Sequence, residues 1–277
     1  MGIIGAGRLG STLALACQAA GQRVSAVAGR DAGHVRALAE RLGGADALSP
    51  QGVADRTGLV FLAVPDDVVP VLARRLSFRP GQAVVHTSGA LGLQALQPAA
   101  DAGARRGCLH PLQTFPERLD APERFHGITC GVEGDAELGE RLGDLVRALG
   151  ARVLRLEGVD RAGYHAAAVF ASNYLVALHA AAAEAFAVAG LPPEAAAPAL
   201  SPLTARAADN VARLPLAEAL TGPLARGDLR TIERHLRALE ASPQLSSLYR
   251  ALGRQLLSLP LELPEATQAA LQRLLSS

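Results

Sequence analysis

Gly5-Ala6-Gly7-Arg8-Leu9-Gly10 sets three glycines in a G-x-G-x-x-G spacing between the apolar pair Ile3-Ile4 and a helix-like stretch over residues 11–20. A strand that turns straight into a helix through such a loop constrains the fold more than any other feature of the chain, because each glycine answers a separate mechanical demand. Gly5 allows the tight turn, Gly7 lets the backbone approach a diphosphate, and Gly10 lets helix and strand pack closely. The helix then offers its unpaired N–H groups and positive dipole end to an anion. Residues Gly5, Ala6, Gly7, Arg8, Leu9 and Gly10 are therefore the first expected cofactor contacts.

Strand and helix signals keep alternating after this turn. Residues 24–28 read as a second strand and 34–42 as a second helix. Residues 59–64 form an unbroken apolar run ended by Pro65-Asp66, as a strand buried on both faces requires, and Val64 and Pro65 at its end are expected to border the cofactor. Further strands are expected at 83–86, 107–109, 128–132 and 152–156, with a helix over 136–149. This is the pattern of an α/β Rossmann domain with a doubly wound, mostly parallel sheet, spanning residues 1–156. From residue 157 to 277 strand signals stop and Ala- and Leu-rich helices take over. A long helix is expected over 159–189, ended by Gly190-Leu191-Pro192-Pro193, with others over 193–211, 216–220, 229–241 and 244–257 and a last one from Pro264.

In an NAD site, roughly 20 residues past the glycine motif, an acidic side chain holds the ribose 2′-hydroxyl. Here the second strand ends in Gly29-Arg30, and a guanidinium suits a 2′-phosphate, which favours NADP(H) over NAD(H). Asp31 follows directly and pulls the other way, and a solvated loop arginine is the plain alternative. Global charge adds no competing ligand class. The net charge of +1, with no run of Lys or Arg, gives neither a nucleic-acid nor a membrane footprint, so a small-molecule substrate is expected. No stretch reaches about 18 uninterrupted apolar residues, and Leu13 to Cys17 departs from a lipoprotein signal because glycines interrupt the apolar stretch before it and Ala14 rather than Leu stands three before Cys17. Cys17, Cys108 and Cys130 are too widely spaced for a zinc site or a disulfide framework, so no metal and a cytoplasmic location are expected.

Chemistry-bearing residues fall into two groups. His86-Thr87-Ser88-Gly89 and His110-Pro111 follow strands at the edge where open α/β sheets bind ligands, making Ser88 and His110 candidates to reach a nicotinamide or a substrate carbonyl. Arg161, His165, Ser172 and His179 recur at spacings that one continuous helix would align, with Tyr164 and Asn173 elsewhere on it. His165 is a candidate proton donor or a hydrogen-bonded core histidine. Asn173, if buried, either orients substrate or ties helices together. Asp66-Asp67 reads as a cap for the following helix and Asp228 as the cap of another.

The segments His110-Pro111-Leu112-Gln113-Thr114-Phe115, Tyr164-His165-Ala166-Ala167, Ser172-Asn173-Tyr174 and Leu220 to Asp228 together resemble the Rossmann-like family whose C-terminal part is called domain of unknown function 2520. The first half is also similar to pyrroline-5-carboxylate reductases, prephenate dehydrogenases and 6-phosphogluconate-type dehydrogenases. The resemblance implies an NADP-dependent oxidoreductase with an all-α, 6-phosphogluconate-dehydrogenase-like C-terminal domain that dimerises. It also exposes a departure. Related β-hydroxyacid dehydrogenases carry a Lys and an Asn where this chain has Arg161-Ala162-Gly163-Tyr164-His165. Arginine cannot surrender a proton near neutral pH, so it can bind a carboxylate or polarise an oxygen, while acid chemistry passes to His165 or Tyr164. Two functions are expected to compete: a reductase or dehydrogenase acting on a small carbonyl, imine or hydroxy acid in an interdomain cleft, and a non-catalytic NADP-binding redox sensor or structural dimer.

Overall fold

β1 (Gly2–Ile4) stops after three residues because Gly5 takes a backbone φ of 121°, a conformation closed to other residue types, and turns the chain into α1 (Arg8–Ala19). In the computed structural model, which describes residues 1–119 and 121–276, the chain divides into two units, Met1–Ala171 and a second from Ser172 onward.

The first unit continues through β2 (Ala26–Ala28), α2 (Ala32–Arg41), β3 (Asp46–Ala47), α3 (Pro50–Arg56), β4 (Leu59–Leu62), α4 (Val69–Arg75), β5 (Ala83–His86), α5 (Gln97–Asp101), β6 (Arg105–Pro111), β7 (Thr129–Gly134), α6 (Ala136–Ala148), β8 (Arg152–Arg155) and α7 (Arg161–Ala171). The eight strands form one sheet in the order β3-β2-β1-β4-β5-β6-β7-β8, parallel throughout except where β6 meets β7. The strand order reverses between β1 and β4, and the crevice for a ligand opens outside their carboxyl ends. Alternate residues serve opposite faces. Ile3, Phe61 and Val85 join the core under α1 with Leu13 and Cys17, whereas Ile4, Val60, Leu62 and Val84 pack on the other face with Val53 of α3 and Val69 of α4.

Several local expectations are corrected. The short β3, α3, α4 and α5 carried too little periodicity to be read, although Ser49 and Pro50 mark the start of α3, with Ser49 Oγ accepting the Gly52 amide at 3.1 Å. The pair Asp66-Asp67 does not cap α4, which starts behind Val68 with no side-chain cap. The helix expected over 159–189 breaks at Ser172 (φ −123°, ψ −65°) into α7 and α8 (Asn173–Val188), so the stripe drawn from Arg161 and His165 through Ser172 to His179 is not continuous. Because α7 belongs with the sheet, the division between units falls after Ala171 rather than at residue 157.

The second unit contains only helices among its described residues: α8, α9 (Ala196–Arg213), α10 (Leu216–Ala219), α11 (Leu229–Ala238), α12 (Pro243–Leu256) and α13 (Glu265–Ser276). Gly190, at φ 80°, ends α8, and Leu191 N–H then reaches the Phe186 carbonyl at 3.0 Å. Asp228 caps α11 as expected, accepting the Thr231 amide at 3.1 Å. Ile232, Leu236, Leu257, Leu271 and Leu275 form this unit's core. His179 hydrogen-bonds Thr204 at 3.3 Å and so ties α8 to α9, a structural role within this unit.

Candidate functional site

The turn between β1 and α1 meets the steric demands of a dinucleotide diphosphate residue by residue. A Cβ on Gly5 would lie 2.1 Å from the Ala63 carbonyl oxygen, and one on Gly10 would lie 1.9 Å from the Gly5 carbonyl oxygen, so both positions are closed by backbone. Gly7 is different: a Cβ there would meet nothing within 4 Å, which leaves open space over the peptide where a diphosphate would rest. Gly7 is also the N-cap of α1, and no side chain caps that helix, so its first-turn N–H groups remain available to an anion. Gly5, Ala6 and Gly7 line the crevice on one side and Val64 and Pro65 on the other, while Arg8, Leu9 and Gly10 form the first helical turn behind it. These residues fit a dinucleotide.

At the far end of the crevice lie Gly29, Arg30, Asp31 and His34. Asp31 is occupied as the N-cap of α2, its Oδ1 accepting the His34 amide at 2.9 Å, and that hydrogen bond holds its carboxyl below the usual carboxylate range. Arg30 makes no comparable commitment to the fold and is exposed.

A second cluster sits at the carboxyl ends of β5 and β6. His110 Nδ1 lies 2.8 Å from Tyr164 Oη, and the His165 ring centre is 6.2 Å from that of His110. Two glycines make this possible. A Cβ on Gly89 would come 2.6 Å from His110 Cε1, and one on Gly131, the register partner of His110 across β6 and β7, would come 2.7 Å from Tyr164 Oη. Burial is the main cause that lowers His110 to about 4, with the charges of His165 and Arg161 adding, and burial raises Tyr164 to about 12. Near neutral pH the pair is therefore an uncharged imidazole and a protonated phenol. The Nδ1 of His165 is buried and has no hydrogen-bond partner among the described residues.

Arg161 faces inward. Its buried guanidinium pairs with Glu133 on β7 and lies 3.6 Å from Cys108 Sγ, so the carboxylate it binds is the protein's own. The expectation that Arg161 meets a substrate gives way to a structural ion pair, and replacing Glu133 would leave a buried charge at a cost of about 3–5 kcal/mol. Ser88 is buried, and its Oγ accepts the Ala90 and Leu91 amides at 3.2 and 3.1 Å, which fixes the turn after β5. Asn173 is exposed at the start of α8, where its Oδ1 accepts from Ser172 at 3.0 Å, so the premise of a buried asparagine does not hold. Sequence reasoning missed Glu133 and Cys108, whose link to Arg161 crosses the sheet, and gave no role to His86. That imidazole is fully buried with no side-chain hydrogen-bond partner among the described residues, and burial first and Arg161 second lower it to about 4, opposed by the Gly92 backbone.

His86 and His110 both fold neutral, so the unfolded chain binds more protons than the native one between pH 6.5 and about 4. The stability due to this difference is complete above pH 6.5 and is lost as the pH falls toward 4. We expect a loss of roughly 3 kcal/mol per histidine over that window, seen as a lower urea midpoint at pH 4.5 than at pH 7.5. His86→Leu should remove about half of this pH dependence. An unchanged dependence in the variant would place the titration elsewhere.

Residues 1–111 match the Rossmann-like domain and residues 128–256 match the domain of unknown function DUF2520. No curated protein matches the sequence. Among solved structures, a Bacteroides fragilis protein described as a candidate NADP oxidoreductase is 28% identical with a TM-score of 0.73, over 92% of this chain and 96% of that one. A Thermotoga maritima protein is 27% identical with a TM-score of 0.72 over the same shares, 92% and 96%. The 1-pyrroline-5-carboxylate reductase of Streptococcus pyogenes, 20% identical with a TM-score of 0.63 over 93% and 98%, shares the fold.

Proposed function

We propose that this chain, which joins a Rossmann-like domain to a DUF2520 domain, is an NADP-dependent oxidoreductase acting on a small carbonyl, imine or hydroxy acid. The observation that carries the reading is the open space over Gly7 beside the uncapped first turn of α1, flanked by glycines that nothing larger can replace. The candidate NADP oxidoreductase of Bacteroides fragilis supports the same class.

When bound, the nicotinamide supplies or accepts the hydride. Gly5, Ala6 and Gly7 hold the diphosphate, with the α1 amides of Arg8, Leu9 and Gly10 behind them, and Val64 and Pro65 wall the crevice. Arg30 binds the 2′-phosphate, which favours NADP over NAD. In the tautomer that suits the chemistry, His110 Nδ1–H donates to Tyr164 Oη, leaving the phenol proton directed at the substrate oxygen or nitrogen. With its pKa raised to about 12, that phenol polarises by hydrogen bonding and keeps its proton. The proton consumed on reduction then comes from His165, whose unpaired Nδ1 stands beside the pair. Ser88 acts at a distance by shaping the turn after β5.

The reading includes a homodimer. The second unit presents Val176, Leu203 and Val211 at 72%, 66% and 56% exposure, a surface that a second copy would cover. By length and composition alone, Arg161–Val188 is apolar enough to cross a membrane. The break at Ser172 and the Glu184 carboxylate, which accepts Ser242 Oγ at 2.9 Å, favour a protein partner over lipid. Three free, buried cysteines agree with a cytoplasmic location.

His165→Ala should lower turnover about 100-fold and leave NADPH affinity unchanged, measured by NADPH oxidation across a panel of keto acids and cyclic imines. Unchanged turnover would remove His165 from the chemistry. Tight NADPH binding by the parent with no turnover on any member of the panel would favour the redox-sensor alternative.

A further inference from the structure

Arg118 lies far from the glycine motif in sequence, on the segment between β6 and β7, yet it lines the same crevice as Arg30, Asp31 and His34. The neighbouring residues Leu119 and Phe115 place it there. Leu119, at φ 56°, donates its N–H to Ser11 Oγ of α1 at 3.1 Å, and Phe115 and Leu119 pack on the core that includes residues of α1. Phe115 also packs on Phe125 at 5.6 Å between ring centres. The segment is thus held to α1 by Leu119 and to the core by Phe115, on either side of Arg118, while Arg118 itself stays exposed.

Charge explains what this adds. Arg30 alone faces Asp31, one residue away, and a cation beside an anion leaves the end of the crevice near neutral, a poor match for a phosphate monoester. The Arg118 guanidinium stands close enough to contribute to lowering the Asp31 carboxyl. With it, two guanidiniums outweigh one carboxylate, whose Oδ1 already accepts the His34 amide at the α2 N-terminus. A phosphate on the adenosine ribose would then meet a cation from each side.

We infer that Arg118, carried in by the segment between β6 and β7, is the second arm of a two-arginine clamp on the ribose 2′-phosphate of NADP(H), and so sets the preference for the phosphorylated cofactor. The inference rests on the nucleotide reading proposed above. It gives that segment a purpose beyond connecting strands: binding of the 2′-phosphate tightens it against α1.

The test is calorimetric titration of the full chain with NADP+ and with NAD+, for the parent, Arg118→Ala, Arg118→Lys and Arg30→Ala, at low and at physiological salt. The clamp requires Arg118→Ala to lose at least tenfold in NADP+ affinity with less than a twofold change for NAD+. Arg118→Lys should recover part of the loss and Arg30→Ala should lose comparably. Unaltered NADP+ affinity in Arg118→Ala, or equal losses for both nucleotides, overturns the clamp and leaves the nucleotide site standing. A parent chain that binds neither nucleotide overturns both. Thermal unfolding of each variant without nucleotide should match the parent, since Arg30 and Arg118 are both exposed.

Discussion

Gly7→Val is expected to fold as the parent does and to bind NADPH at least 100-fold more weakly, a loss of about 2.7 kcal/mol. The backbone at Gly7 is extended, with φ −84° and ψ −168°, so a β-branched residue suits it, and its Cβ meets nothing within 4 Å. The folding cost is that of a poorer N-cap, roughly 1 kcal/mol. The branched side chain would instead fill the space over the peptide that a diphosphate must enter. Gly5 and Gly10 provide the contrast, because a Cβ at either would strike backbone oxygen at 2.1 or 1.9 Å and disturb the fold itself. Gly7→Val therefore separates the ligand's demand from the fold's. Melting curves and fluorescence titration with NADPH check it together, and parent-like affinity would put the diphosphate somewhere else.

The second large effect belongs to Tyr164→Phe. Removing the phenol deletes the group that polarises the substrate and leaves a buried His110 Nδ1 without its partner at 2.8 Å. Loss of one such preorganised donor lowers kcat about 10²–10³-fold. KM and NADPH affinity should change little, because Tyr164 sits against His110 of β6 and Gly131 of β7 and does not line the crevice. A purely structural tyrosine would show the opposite split, with lower stability and near-normal kcat. Gly131→Ala offers a milder version, since its Cβ would press on Tyr164 Oη from 2.7 Å and on Leu156 Cδ1 from 2.5 Å.

What the sequence made legible follows from what kind of constraint each feature obeys. The β1–α1 turn was readable because backbone geometry dictates residue type there: Gly5 at φ 121° and Gly10 against the Gly5 carbonyl admit only glycine. Strands such as β4 and β5 were readable because burial on both faces leaves an apolar run. The two residues of β3 and the seven of α4 are too short for any period to show. The break at Ser172 left only the cap-favouring pair Ser172-Asn173 as its mark inside an Ala-rich stretch, and the allegiance of α7 to the sheet is decided by contacts far away in sequence. Arg161 shows this best. Its residue type announced a charged group at a catalytic position, but its partner Glu133 sits on β7, 28 residues earlier, and only the folded sheet turns that guanidinium inward. Arg118 is the converse case, an unremarked loop residue brought to the crevice by the Leu119 contact with Ser11.

Diffraction from crystals of the chain grown with saturating NADPH decides where the nucleotide lies. Diphosphate oxygens about 3 Å from the first-turn amides of α1, over the Gly7 peptide, are the expected result. Nucleotide density elsewhere, or side chains filling the space over Gly7 with no nucleotide present, would contradict it.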